Sequence, residues 1–95
     1  MENLITGGWS IPETPEVTDE ARKIFEDAVS DLDGSKMVPF AYLGSQLVSG
    51  MLYKFVVRVS PVSPHHKFEK LSICTIHQSF PVGDKKPEIR DVTNI

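Results

Sequence analysis

The sequence predicts an α+β domain in which one long helix packs across an antiparallel sheet of four to five strands. Three observations support this prediction. Apolar residues at helical spacing form one stripe in the first third of the chain, an alternating apolar run lies near its middle, and prolines and glycines separate further extended runs after it. Because one apolar stripe buries a helix against one surface and no second helix is predicted, that surface must be a sheet.

Length and composition are those of a single globular domain. The 95 residues are 40% hydrophobic and 24% charged, and 10 basic against 13 acidic side chains leave a net charge of −3. This size allows one core and one or two layers of secondary structure, so we expect one domain over residues 1–95. The lack of a basic stripe argues against nucleic acid as a partner, and the short apolar runs argue against a membrane partner or span.

Cysteine usage and the N-terminus bear on the compartment. Cys74 is the single cysteine, so no internal disulfide forms, which suits a reducing compartment. Residues 1–10 lack the basic region and the continuous apolar region of a secretion signal. We therefore expect a cytoplasmic protein, the alternative being a mature secreted chain whose signal has been removed.

Residues 1–13 are predicted to be a flexible arm. Gly7-Gly8, Trp9 and Pro12 fit neither a helical nor an alternating pattern. Two interpretations stay open, a frayed terminus or an arm that becomes ordered on a partner. For Trp9 the alternatives are equally open: it fastens the arm onto the sheet, or it contacts the partner itself.

A helix is predicted over residues 15–33. Thr14 suits the N-cap, Pro15 the first helical position, and Gly34 the position just past the helix end. The buried stripe recurs at steps of three and four residues and consists of Val17, Ala21, Ile24, Phe25, Ala28, Val29 and Leu32. A helix of roughly 18 residues extends about 27 Å.

A β-meander is predicted over residues 36–95. The first extended run is Met37 to Leu43, where Pro39 indicates a sheet edge or a bulge. The second run, Met51 to Ser60, alternates so that its odd-numbered residues should face the helix.

Two further runs complete the predicted meander. Phe68 to Phe80 is a long strand whose inward set switches parity between Ile73 and Cys74, which predicts a bulge. Glu88 to Val92 is a short last strand, which residues 93–95 extend.

The hairpin between the first two runs has an unusual tip. Its sequence is Gln46-Leu47-Val48-Ser49-Gly50, with two adjacent aliphatic side chains where polar residues are usual. An exposed apolar tip is typical of a contact surface, and the alternative is a buried continuation of the strand. Because alternate turns of a meander fall at the same end of the sheet, the turn at Pro81-Val82 is predicted to lie beside this tip.

The tip also matches a family signature. Gln46 to Gly50 fits the Gln-x-Val-x-Gly motif of the cystatins, which inhibit papain-like cysteine proteases. Gly7-Gly8 resembles the N-terminal glycine of that family, Thr14-Pro15-Glu16 resembles its helix entry, and Gln78-Ser79-Phe80-Pro81 resembles the Gln-Ser-Leu-Pro of its intracellular branch, the stefins. The chain therefore resembles a stefin-like, type 1 cystatin over about residues 4 to 92, and the resemblance implies the cystatin fold.

The resemblance implies a reversible, competitive, tight-binding inhibitor of papain-like, cathepsin-type proteases. In the family, an N-terminal arm and two hairpins fill the active-site cleft of the protease. The implied protease-binding residues are Leu4, Ile5, Thr6, Gly7, Gly8, Gln46, Leu47, Val48, Ser49, Gly50, Phe80, Pro81 and Val82. We expect a monomer, the alternative being a domain-swapped dimer that opens the first hairpin.

Other functions are weighed against this one. Phe80, where stefins usually carry leucine, motivates the alternative of a cystatin-fold protein with another partner or without inhibitory activity. An enzyme is not expected, because Cys74 lies in an apolar strand and is interpreted as a small buried residue. No metal site or other cofactor is expected either, because His65, His66 and His77 have no carboxylate at ligand spacing.

Overall fold

The computed structural model describes residues 4–6, 8–32, 34–61, 69–80 and 85–95. Over these residues the chain forms a six-stranded antiparallel sheet with one helix packed on one face, which confirms the predicted α+β arrangement and is consistent with a cystatin-like fold. The elements are β1 (Leu4–Thr6), β2 (Trp9–Ile11), α1 (Asp19–Val29), β3 (Ser35–Val48), β4 (Gly50–Pro61), β5 (Lys70–Gln78) and β6 (Glu88–Asn94). Neighbouring strands follow chain order, so β3 to β6 form the predicted meander and two three-residue strands extend it.

The helix begins later than predicted. Its N-cap is Thr18, whose Oγ1 accepts a hydrogen bond from Ala21 N at 3.2 Å. Thr14 does not cap it, because the carbonyl of Pro15 accepts a hydrogen bond from Tyr42 N in β3 at 2.9 Å. A carbonyl bound to the sheet does not accept the helical i+4 bond, so regular helix starts only after this contact.

The helix also ends earlier, at Val29 rather than at residue 33, and spans 11 residues, or about 16 Å. Ser30 follows as the C-cap, and its hydroxyl donates to the carbonyl of Asp27 at 2.8 Å. Such local bonds from serine compete with continued helix, which accounts for the early end. Within the described residues, no helix is long and apolar enough to cross a membrane.

Phe25 of α1 and Phe55 of β4 form the centre of the core. Both side chains are fully buried, and their ring centroids lie 5.2 Å apart at an interplanar angle of 62°, an edge-to-face contact. Tyr42 of β3 also packs against Phe55, with the ring centroids 5.3 Å apart. The remaining buried apolar residues of the cluster are Ala21, Ala28, Val57, Cys74 and Ile76. The stripe residues from Ala21 to Val29 therefore face the sheet, as their spacing predicted, whereas Val17 and Leu32 lie outside the helix.

The odd-numbered residues of β4 face the helix, as the alternation predicted. Phe55 and Val57 are fully buried, and Tyr53 and Val59 pack against the same core. The even-numbered Arg58, between Val57 and Val59, is exposed on the opposite face of the sheet.

β3 departs from regular pairing beside Pro39, which confirms the predicted bulge. Pro39 lies opposite Val57 and Ala41 lies opposite Val56, so Phe40 is an extra residue on β3. Proline has no N–H to donate to the ladder, and a bulge accommodates this loss.

The predicted parity switch in β5 is wrong. β5 pairs with β4 from Lys70 to Gln78 without a register shift, so its even-numbered residues face the helix throughout. Cys74 and Ile76 are buried on that face, whereas Leu71 is 43% exposed on the other. Because apolar residues of β5 occur on both faces of the sheet, the sequence pattern could not reveal whether its even-numbered or its odd-numbered residues face the helix. The irregularity lies instead in β6, where Arg90 is the extra residue.

The N-terminal segment contains two paired strands rather than the predicted flexible arm. β1 and β2 pair antiparallel, and Ser10 of β2 lies opposite Ser45 of β3. Lys54 Nζ lies 4.6 Å from the ring centroid of Trp9, a cation–π contact that favours the fastening role for this tryptophan. Strands of three residues are too short for an alternating pattern to be recognised.

We predict that Phe25→Ala lowers the free energy of unfolding by about 3–5 kcal/mol, because it removes a fully buried ring and leaves a cavity beside Phe55. Urea unfolding followed by circular dichroism measures this loss. Phe40→Ala is the matched control, since that ring is 59% exposed, and its loss should stay below about 1 kcal/mol. Equal losses in the two variants would contradict the assignment of the core.

Candidate functional site

The tip of the β3–β4 hairpin presents two aliphatic side chains to solvent. Val48 and Gly50 are register partners, so Ser49 is the single residue between the two strands. Leu47 is 71% exposed and Val48 is 40% exposed. The tip is therefore an apolar projection, and the alternative of a buried strand continuation is wrong.

Gly50 allows the tip to lie directly against β5. Its φ is +108°, in the region that favours glycine. A Cβ at this position would overlap the carbonyl oxygen of Gln78 and come within 2.9 Å of His77 Nε2. Any other residue here would both strain the backbone and separate the hairpin from the end of β5.

His77 forms a direct bond to the tip. Its Nε2 donates to the carbonyl oxygen of Ser49 at 2.9 Å. A cleft of about 420 Å³ lies beside this bond and is lined by Val48, Ser49, Gly50, His77, Ser79, Phe80 and Lys85. The first hairpin and the chain that leaves β5 thus face each other, as the meander topology predicted.

Gln78 organises the segment after β5. This side chain is only 6% exposed, and its Nε2 donates to the carbonyl of Ser79 at 3.2 Å and to that of Lys85 at 3.0 Å. Both described ends of the connection between β5 and β6 are therefore held by one buried amide. Phe80, just beyond, is 54% exposed, whereas the predicted contacts Pro81 and Val82 lie outside the described residues.

The N-terminal segment reaches the same end of the sheet at Gly8. Its φ is +87°, and a Cβ there would lie 2.7 Å from Nε2 of Gln46, so the backbone packs against the first residue of the tip. Thr6 of β1 lies opposite Trp9, next to Gly8 in the chain, whereas Leu4 is two residues farther from the tip. Ile5 lies between Thr6 and Leu4 in β1. Gly7 lies outside the described residues.

Three segments that are distant in sequence therefore meet along one edge, which we call the tripartite edge: Gly8, Gln46 to Gly50, and Ser79-Phe80. The tip and Phe80 supply its exposed apolar surface. The sequence indicated these segments, but it did not indicate that His77 connects β5 to the hairpin tip. From the sequence, that histidine was weighed only as a metal ligand. The signal available was its position one residue before the Gln78-Ser79 motif.

Cys74 lies in the core and not at the tripartite edge, which confirms it as a small buried residue. It is fully buried, and burial together with the nearby charge of Asp91 raises the pKa of its thiol to about 11. A thiol with this pKa is poorly ionised at neutral pH and is therefore a weak nucleophile. His65 and His66 lie outside the described residues.

We predict that Gly50→Ala destabilises the chain more than Gly34→Ala. Both glycines have positive φ, so alanine strains the backbone at each by about 1–2 kcal/mol. At Gly34 a Cβ meets nothing within 4 Å, whereas at Gly50 it meets the Gln78 carbonyl. In urea unfolding, Gly50→Ala should lose about 1–3 kcal/mol more of the free energy of unfolding than Gly34→Ala does. Equal losses in the two variants would argue against a close approach of the tip to β5.

The Cys74 thiol gives a pH-dependent prediction. Its pKa is raised from 9.0 to about 11 in the folded chain, so the neutral thiol stabilises the fold fully below about pH 9. That contribution is lost as the pH rises from about 9 towards about 11. Across this pH range, the free energy of unfolding measured in urea should fall more steeply for the wild type than for Cys74→Ala. Both chains contain the same tyrosines, so the ionisation of those side chains affects the two curves equally. Parallel curves for the two chains would contradict the raised pKa.

No family model, curated protein or solved structure matches the chain. The geometry of the tripartite edge and the motif resemblance are therefore the observations that bear on its function.

Proposed function

We propose that this chain is a reversible, competitive, tight-binding inhibitor of papain-like, cathepsin-type cysteine proteases, and that the tripartite edge enters the active-site cleft of the protease. The observation that supports this function is the convergence of Gly8, the Gln46 to Gly50 tip and Ser79-Phe80 at one end of the sheet. Gly8, Gln46 to Gly50 and Phe80 belong to the three segments that the cystatin resemblance assigns to protease binding.

The exposed side chains of the edge suit a hydrophobic cleft. Leu47 is 71% exposed, Phe80 54% and Val48 40%, so binding would remove three apolar side chains from water. An interface of about 800 Å² per partner reaches nanomolar affinity, near −12 kcal/mol, when little entropy is lost on binding. The bonds from His77 and Gln78 hold both loops before any partner arrives, which keeps that loss small.

Inhibition would be steric, with no catalytic step by this chain. The backbone on both sides of Ser49 is paired in the β3–β4 ladder, so it does not open into the extended, unpaired conformation that a substrate presents for cleavage. The inhibitor would act as a monomer, because a swapped dimer that opens this hairpin loses the tip.

We predict that Val48→Asp raises the inhibition constant for papain roughly a hundredfold, or about 3 kcal/mol, because it places a charge in a contact that loses its water on binding. The measurement is a titration of papain with the variant and with the wild type, followed by hydrolysis of a fluorogenic substrate at several substrate concentrations. Competitive inhibition by the wild type is the expected starting point.

Val38→Asp is the matched control. Val38 lies ten residues earlier in the same strand and is 38% exposed, close to the 40% of Val48, so the charge is introduced at similar exposure but far from the tip. Its inhibition constant should equal that of the wild type. Equal weakening by both substitutions, or no effect of Val48→Asp, would refute the assignment of the tip. No inhibition by the folded wild-type monomer would favour a cystatin-fold binding protein with another partner.

A further inference from the structure

His77 is placed where it can control the first hairpin from outside it. It is the penultimate residue of β5, and its Cα lies opposite Leu52 of β4 and Glu88 of β6. Its side chain reaches back over β4 to the carbonyl of Ser49, 28 residues earlier in the chain, at 2.9 Å. One side chain of the third long strand therefore bonds the turn between the first two.

The chemistry of this contact fixes the donor. A carbonyl oxygen only accepts hydrogen bonds, so Nε2 of His77 carries the proton. The neutral ring with its proton on Nε2 and the imidazolium both provide this donor, so the bond does not require a charged ring. Gly50 makes the bond possible, since a Cβ there would come within 2.9 Å of the same Nε2 atom.

We propose that His77 is a positioning residue for the tripartite edge: its bond to Ser49 holds Leu47 and Val48 in a fixed orientation relative to Ser79-Phe80 in the free chain. This inference rests on the proposed function for its effect on proteases. Phe80, His77 and the tip residues Val48 to Gly50 line the same cleft. Because Gln78 fixes the segment after β5, the adjacent residues 77 and 78 set the positions of both loops.

The physical consequence is a change in the population of the binding-competent tip. When only a fraction of the free inhibitor has the tip in place, the apparent dissociation constant rises by the inverse of that fraction. The net value of one such hydrogen bond corresponds to roughly a fivefold change in that population. The loss should appear in the association rate constant, because the protease itself holds the tip once the complex has formed.

Two substitutions separate the hydrogen bond from the ring. His77→Phe keeps an aromatic ring and removes the donor, whereas His77→Gln removes the ring and keeps an N–H donor at similar reach. Backbone order parameters of Val48, Ser49 and Gly50 in the free chain report the positioning by NMR. Association and dissociation rate constants with papain report its effect on inhibition.

For His77→Phe we expect lower order parameters at Ser49, an association rate constant reduced about fivefold and an unchanged dissociation rate constant. His77→Gln should remain close to the wild type in all three measurements. A rigid tip in His77→Phe, a mobile tip in His77→Gln, or a change confined to the dissociation rate constant would overturn the proposal. If the wild type does not bind papain, the proposed function fails, while the order parameters still decide whether His77 positions the tip.

Discussion

The contact between Phe55, Phe25 and Tyr42 fixes the register on which the rest of the structure depends. Phe55 is fully buried between the helix and the sheet, so a slip of β4 by one residue would move it to the opposite face and expose the core. The same register places Gly50 as the first residue of β4, directly after the turn. It places Gly50 beside Gln78 and His77, and so the packing of the core sets the geometry of the candidate site.

Two glycines and two polar side chains hold the segments of the tripartite edge against one another. Gly8 and Gly50 allow close approach, while His77 and Gln78 bond to main-chain carbonyls of the two loops. Under the proposed function, such contacts would restrict the loops before binding and lower the entropic cost of presenting the exposed apolar side chains. The packing of the core and these contacts at the strand ends together place the tip of this 95-residue domain.

Patterns that extend over many residues predicted the structure well, and short or tertiary features did not. The alternation of β4 and the helical stripe predicted the two layers, and the tip motif indicated the candidate site. The helix start was misplaced because the Pro15 carbonyl bonds to Tyr42, a partner that local sequence does not reveal. The bond from His77 to Ser49 was missed for the same reason, since its acceptor lies 28 residues away.

The most direct test of the account is an NMR footprint of the chain on papain whose catalytic cysteine has been blocked by a small group, leaving the cleft open. If the tripartite edge enters the cleft, chemical shift changes among the described residues will concentrate at Gly8, Gln46 to Gly50 and Ser79-Phe80, while the exposed face of α1 and the end of β3 near Val38 stay unchanged. Shift changes centred on the helix, or no changes at protease concentrations well above micromolar, would contradict it.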